Sequence, residues 1–398
     1  MRSKSYLSWF GVLQFVLVIT ILTLSHMAWA ITVKSQPTQI KVAAPTPPGT
    51  VPTWREGLAI GQWKEITGSN MSALIPTVSA PGNGRNTIIE AWNSLAIDPR
   101  DSTIYSVANG GHFDWAGNEV NAIKMTDNSP KWFEKKPSTP VNQIVESRSH
   151  YLDGAPTSRH SYYGMVFNKS RNRVMLLTGY WWASATSMTP AMDGYNILSN
   201  TYDPKDTFPN VPGAVQGSPG AAIIEDTATD NIYSVANYGV YRWNNGTNTW
   251  STLLSNTPVY GYSATGAFDT QRNRFLVCGG DRAAGTAVCY LYDVAKNTLT
   301  AAQIIGLADS NLDGQGGHGM IYSAEADAYF FRRSGTSGNA VLKVAAGTLT
   351  LSQMNVQGGA TAQAPINGLW KRWLYAPQLG GAFYLPTYGS NIWFVRLF

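Results

Sequence analysis

The stretch SLAIDPRDSTIYSV, from Ser94 to Val107, is the first copy of a unit that this chain contains six times. Each copy has an apolar strand, a polar turn and a second apolar strand. The other copies begin at Gly164, Ala221, Thr265, Gly319 and Arg372. A unit of short strands that recurs every ~40 to 70 residues is typical of the blades of a β-propeller.

The turn has the same length in every copy. The residues that open it are Asp98, Asn168, Asp226, Asp269, Ser323 and Ala376. The second strand is predicted to begin six positions later, at Ile104, Val174, Ile232, Phe275, Tyr329 and Ala382. Constant turn length between apolar runs predicts one hairpin per copy, and therefore six blades.

The last blade, from Leu369 to Phe398, ends after what looks like its third strand. The segment Trp63 to Ile66 has the form of the missing outer strand. A ring closed by both ends of the chain leaves no exposed sheet edge. We therefore expect residues 56–398 to form an all-β, six-bladed β-propeller, closed by an N-terminal strand in the last blade. The insertion from Tyr180 to Gln216 leaves room for a seventh blade.

The first residues have the pattern of an export signal. Arg2 and Lys4 precede an apolar run, and small residues stand at Ala28 and Ala30. This predicts a signal peptide over residues 1–30, cleaved after Ala30, and a secreted or periplasmic protein. The alternative is an uncleaved anchor, although the run is short for a membrane span. Residues 31–55 are rich in Pro and Thr, which predicts an extended linker.

Charge and cysteines narrow the class of protein further. The net charge is +5, without a Lys/Arg cluster that could follow a phosphate backbone, so nucleic acid is not an expected partner. No segment after the signal peptide is apolar enough to suggest a membrane span.

The two cysteines, Cys278 and Cys289, flank a short loop between two strand-like runs. In an exported chain this predicts a disulfide.

Glycine pairs follow the second strand in two copies, at Gly110-Gly111 and Gly279-Gly280, and a Tyr and a Trp come later. These features resemble kelch repeats. From about residue 58 onward the chain resembles the central propeller domain of galactose oxidase and its bacterial relatives. The resemblance implies a fold more than an activity, because this fold hosts both enzymes and binding modules. Galactose-oxidase chemistry needs a Cys–Tyr crosslink at copper, whereas both cysteines here are expected to pair with each other.

In a propeller blade, the loop into the innermost strand and the loop between the second and third strands open on the same face. Three of the four histidines after residue 30, namely His112, His160 and His318, occur in such loops of three blades. We predict that they share one face. The catalytic candidates are His112, His160, Tyr162 and Arg159. The ligand-binding candidates are Asp114, Trp115, Glu119, Trp181, Trp182, Tyr238, Arg282, His318, Arg332 and Arg372.

Several candidates have a structural alternative. Asp114 and Glu119 could satisfy their own loop, and Arg159 could form a structural ion pair. We expect Trp115, Trp181 and Trp182 to be exposed, because sugar rings stack on aromatic side chains.

These residue types favour a secreted propeller that binds, and by one interpretation processes, a carbohydrate polymer. A non-catalytic protein-interaction scaffold is the alternative. A second alternative is a uronate lyase, in which Arg neutralises the carboxylate while His and Tyr move protons. The sequence leaves open whether any bond is broken. Nothing in the sequence requires a cofactor, and whether the protein holds one is unknown. A metal ion held by His112, His160 and His318 is a further hypothesis.

Overall fold

The computed structural model describes residues 51–398, except 185–187, 213–220, 237–238, 260–262, 280–286, 309–311, 313–316, 336 and 360. The predicted signal peptide and most of the predicted linker therefore lie outside the described residues. So do two ligand-binding candidates, Tyr238 and Arg282.

Short strands make up most of the regular structure. In chain order they are β1 (Trp63–Ile66), β2 (Ala96–Asp98), β3 (Thr103–Val107), β4 (Val120–Lys124), β5 (Phe133–Lys136), β6 (Arg159–His160), β7 (Met165–Asn168), β8 (Arg173–Leu177), β9 (Tyr180–Trp181), β10 (Met192–Asn196), β11 (Thr201–Tyr202), β12 (Ala222–Asp226), β13 (Asn231–Ala236), β14 (Gly239–Asn244), β15 (Thr249–Ser255), β16 (Thr265–Asp269), β17 (Arg274–Cys278), β18 (Cys289–Asp293), β19 (Thr298–Ala301), β20 (Ile305–Gly306), β21 (Gly319–Ser323), β22 (Ala328–Arg332), β23 (Leu342–Ala345), β24 (Thr350–Gln353), β25 (Trp373–Ala376), β26 (Gly381–Tyr384) and β27 (Ile392–Arg396). The helices are α1 (Thr87–Glu90) and the 3₁₀ turns Met71–Ala73, Val141–Gln143, Trp370–Arg372 and Pro377–Leu379.

The strands form six antiparallel blades, as predicted. Their orders, from the innermost strand outward, are β2-β3-β4-β5, β7-β8-β10-β11, β12-β13-β14-β15, β16-β17-β18-β19, β21-β22-β23-β24 and β25-β26-β27-β1, with β20 added outside β24. Within the insertion from Tyr180 to Gln216, β10 and β11 are the outer strands of the second blade. The described part of that insertion therefore adds no seventh blade.

In five of the six copies, the side chain of the residue that opens the turn also bonds the turn backbone; in the sixth, Ala376 precedes a 3₁₀ turn. Asp98 Oδ1 accepts the backbone N–H of Arg100 at 2.9 Å, and Ser102 then takes a φ of +57°. The equivalent positions of the other turns, four residues after the opening one, also have positive φ, at Asn172, Asp230, Asn273, Asp327 and Gly380. Each second strand begins one residue earlier than predicted, because the last turn residue pairs with the opening one, as Thr103 does with Asp98.

The ring is closed as the sequence predicts. β1 pairs antiparallel with β27, with Trp63 opposite Val395 and Ile66 opposite Ile392. The last blade therefore takes its outer strand from the beginning of the propeller, which removes a free edge.

The predicted disulfide is also present. Cys278 and Cys289 are directly opposite each other on β17 and β18, and an S–S bond joins them. Among the described helices, none is long and apolar enough to cross a membrane.

Candidate functional site

The loop between β3 and β4 carries the first histidine of the candidate site. Its backbone is held very close to the second blade, so two positions require glycine. A Cβ on Gly110 would lie 2.3 Å from the carbonyl oxygen of Trp115, and one on Gly111 would lie 2.2 Å from the amide nitrogen of His160. The next residue, His112, has a φ of +49°, an uncommon conformation for a side chain of this size.

The short strands β6 and β9 form a separate two-stranded sheet beside this loop. They pair Arg159 with Trp181 and His160 with Tyr180. Two parallel bridges join the loop to this sheet, one from Asn109 to Arg159 and one from His112 to Trp182. Backbone hydrogen bonding, and not only side-chain packing, therefore brings the loops of the first two blades together.

The result is a cluster of imidazole and phenol rings. The ring of His112 lies 5.1 Å from that of His160 and 4.9 Å from that of Tyr180. The ring of His160 is 6.1 Å from that of Tyr162, which has a φ of +47°. Nε2 of His160 lies 2.7 Å from Oδ2 of Asp114. We call the surface formed by these five residues and the adjoining Phe113, Trp181 and Trp182 the histidine face.

The histidine face holds a neutral imidazole against a carboxylate. His160 is only 2 % exposed, and burial lowers its pKa although Asp114 opposes the shift. For Asp114, burial alone would raise the pKa, but the hydrogen bond from His160 outweighs it and the pKa is lowered. Near pH 7 the imidazole is therefore neutral and the carboxylate ionised. Nε2–H donates to Asp114, which leaves the lone pair of the neutral ring on Nδ1.

The carboxylate of Asp114 can be tested by its effect on His160. We expect Asp114→Asn to lower the pKa of His160 further, because burial then acts without an opposing charge. An NMR titration of the histidine ring protons measures this shift. Asp153→Asn is a matched control, because Asp153 bonds Thr139 and the backbone of Ala155 instead. A pKa of His160 that is unchanged or raised in Asp114→Asn would contradict the hydrogen-bonded pairing of His160 with the Asp114 carboxylate.

The aromatic residues of this face differ in exposure. Phe113 is 50 % exposed, and His112, Tyr180 and Trp181 are partly exposed. Trp182, expected to be exposed, is only 7 % exposed. Phe113 packs edge-on against the Trp182 ring at 6.3 Å. The accessible aromatic rim is therefore Phe113, His112, Tyr180 and Trp181.

Trp115 and Glu119 lie beneath the loop. Trp115 was expected to be exposed, yet it is only 6 % exposed, and its Nε1–H donates to both carboxylate oxygens of Glu119 at 3.2 Å. Glu119 also binds Nε of Arg85 at 3.0 Å. Glu119 therefore bonds within its own loop and to Arg85, in agreement with the structural role considered for it.

The three described candidate arginines are almost completely buried. Arg159 donates from Nη2 to Oδ2 of Asp193 at 2.6 Å, so the ion pair considered as its alternative role is present. Arg332 and Arg372 donate to backbone carbonyl oxygens, which belong to Gly338, Ala340, Ile366, Gly368 and Pro386. In this arrangement the protein itself binds these guanidinium groups.

His318 directly precedes β21, the innermost strand of the fifth blade. Its Nδ1 accepts the backbone N–H of Ser334 at 2.7 Å, and its ring is 5.3 Å from that of Phe331. Among the described residues, no three His, Cys, Asp or Glu side chains are grouped so that they could hold a metal ion. The hypothesis of a three-histidine metal site is therefore wrong.

Three contributors to the site were not among the sequence candidates. Tyr180 follows Gly179 after the second strand of its blade, just as His112 follows Gly111, and this parallel could have identified it. Phe113 is next to His112. Trp92, at a φ of +53°, places its ring 5.3 Å from His160, and no sequence pattern marks that contact.

No family model matches this chain, and a search of the curated proteins finds none that matches it either. The assignment of a six-bladed propeller therefore rests on the structure. The kelch assignment remains an interpretation of the glycine pairs.

Proposed function

We propose that the histidine face binds a carbohydrate polymer. The observation that carries this proposal is the aromatic rim of Phe113 and Tyr180, which lies next to the hydrogen-bonded pair of Asp114 and His160. Sugar rings present C–H faces that stack on aromatic rings and hydroxyl groups that need polar partners.

The protein is proposed to be a secreted, kelch-like propeller. The glycines of the β3–β4 loop support the kelch likeness, since both are required by close backbone contacts. The disulfide supports export, because such bonds persist in oxidising compartments.

Processing of the polymer is a second candidate, favoured by the neutral imidazole of His160. In a uronate lyase, a histidine accepts the proton from the sugar carbon that carries the carboxylate. A group such as the Tyr180 hydroxyl then protonates the leaving glycosidic oxygen. The reaction also needs a cation for the uronate carboxylate. Arg159 is committed to Asp193, whereas Arg148 is exposed. Its neighbour Ser147 bonds the backbone of Trp182 and Ala183, so we assign that role to Arg148.

The rim can be tested with a panel of polysaccharides. We expect Phe113→Ala to weaken binding of the retained polymer about fivefold to tenfold, because one aromatic stacking contact is lost. Affinity electrophoresis or calorimetry measures the change. Phe133→Ala is the matched control, since Phe133 is 46 % exposed on the outer strand β5 and is expected to leave binding unchanged.

Absorbance of the unsaturated uronate product, followed in the same panel, tests cleavage. A lyase would lose this signal in His160→Ala while still retaining the polymer. If no polysaccharide is retained, or if Phe113→Ala binds as well as the native protein, carbohydrate binding at this face is wrong. The protein-interaction scaffold then becomes the better proposal.

A further inference from the structure

The ring of innermost strands surrounds a cavity that is separate from the histidine face. It has a volume of about 420 Å³ and is lined by residues from all six innermost strands. Residues of the hairpin turns, including Arg100, Lys169, Thr270 and Glu325, lie at its opening. We call the side of the propeller formed by these turns the turn face. A cavity of this size falls within the usual range for a small-molecule site, ~300 to 1,000 Å³.

A roof of packed side chains separates this cavity from the histidine face. The hydroxyl of Tyr163, on the second blade, donates to the carbonyl oxygen of His318, on the fifth, at 2.7 Å. The Trp370 ring lies 5.0 Å from the rings of both Tyr162 and Tyr163. Tyr163 and Trp370 are 3 % and 2 % exposed. Among the described residues, the turns form the open side of the cavity, so we expect a ligand to enter from the turn face.

An ion pair crosses the cavity. Lys371 precedes the innermost strand of the sixth blade, and Glu225 lies on that of the third, so the two blades are opposite each other in a ring of six. Nζ of Lys371 is 3.6 Å from Oε2 of Glu225. Their side chains remain 19 % and 28 % exposed to the cavity.

This pair does not use its full hydrogen-bonding capacity. An ammonium group has three donors and a charge-assisted bond is normally ~2.7 to 2.9 Å long, so a contact of 3.6 Å is a weak one. Burial lowers the pKa of Lys371 and raises that of Glu225. Both groups therefore gain from a further partner that can donate to the carboxylate and accept from the ammonium.

The rest of the wall favours an uncharged molecule. The lining between the roof and the turns includes the apolar side chains of Ile97, Ile223, Phe268, Met320 and Trp373. The charged groups at the opening already have partners: Arg100 binds Asp98, Lys169 lies near Asp230, and Glu325 accepts from Tyr375. Lys371 and Glu225 neutralise each other, so a ligand with a net charge would find no uncompensated counter-charge in the cavity.

We propose that this cavity binds a small uncharged amphiphile. Its cyclic apolar body would pack against the apolar lining of the cavity, and its hydroxyl group would bond both Lys371 and Glu225. This site is distinct from the carbohydrate site proposed above, and it does not depend on that proposal.

The test uses 2-naphthol as the probe, with naphthalene and naphthalene-2-sulfonate as matched compounds. Calorimetry and quenching of tryptophan fluorescence measure binding to the full chain. We expect saturable binding of one 2-naphthol per protein and weaker binding of both matched compounds. The double variant Lys371→Met with Glu225→Gln removes both charges together, so it leaves no unpaired charge. In it the affinity for 2-naphthol should fall about tenfold or more, because bonds to charged groups are lost.

Thr270→Trp tests the location, since a bulky side chain at the opening should abolish binding. Lys296→Met, which removes an exposed lysine on the turn between β18 and β19, should leave binding unchanged. Circular dichroism confirms that each variant is folded. Absence of one-to-one binding would mean that the cavity does not hold the probe, and binding that neither Thr270→Trp nor the double variant alters would mean that the probe binds elsewhere. Either result would overturn the proposal.

Discussion

Replacing Asp193 by alanine should lower the free energy of unfolding by about 3 to 5 kcal/mol, because it leaves a buried arginine without its counter-ion. Asp193 accepts from Arg159 at 2.6 Å and from Nε2 of His150 at 2.9 Å. All three side chains are largely enclosed. Chemical denaturation followed by circular dichroism measures the loss.

The contribution of Asp193 should also depend on pH in a defined direction. Burial alone would raise its pKa, but Arg159 and His150 outweigh this effect and the pKa is lowered. A carboxyl group whose pKa is lower in the folded state stabilises the fold above its unfolded pKa of ~3.9. That contribution is lost as the pH falls through the folded pKa. The native protein should therefore lose stability below about pH 4, and Asp193→Ala should lose less over the same range.

An exposed ion pair provides the control for this prediction. Lys296 is 76 % exposed and pairs with Asp293 on a turn. Lys296→Ala should cause no measurable change, because solvent screens such pairs. If Asp193→Ala destabilises the protein no more than Lys296→Ala does, the buried ion pair of Arg159 and Asp193 does not stabilise the fold.

The fold could be predicted because its decisive information is local. In five copies the residue that opens the turn bonds it within a few residues, as Asp98 does, and the constant turn length marks the sixth hairpin as well. The closing strand was also predictable, because Trp63 to Ile66 supplies what the last blade lacks. What sequence could not give was the small sheet of β6 and β9, whose pairing depends on the loop of a neighbouring blade.

The candidate site was predictable only in part, because burial depends on contacts that are distant in the chain. The sharing of one face by His112 and His160 followed from blade topology alone. The enclosure of Trp115 depends on a carboxylate that is itself held by Arg85. The position of His318 depends on a tyrosine from another blade. The positions of residues in loops can thus predict which of them share a face of the propeller. Which of them are accessible depends on packing against residues that are distant in the chain.

Trp63→Ala should be the most damaging single change in the closing strand, with a loss of about 3 to 5 kcal/mol in the free energy of unfolding. Trp63 is 4 % exposed, and its Nε1–H donates to the carbonyl oxygen of Asn339 at 3.0 Å. Its ring contacts three side chains of the last two blades, namely Trp373, Tyr384 and Arg332. Truncation would leave a cavity at the junction where the ring is closed, and thermal unfolding measures the effect.

The neighbouring residue separates packing from strand pairing. Lys64 lies on the same strand with an exposed side chain, so Lys64→Ala keeps the backbone pairing and should change stability little. If loss of Trp63 also releases β1, the uncovered edge of β27 should pair with other copies of the chain, and light scattering should show association. Equal stability of Trp63→Ala and Lys64→Ala would mean that the ring is not held closed by this junction.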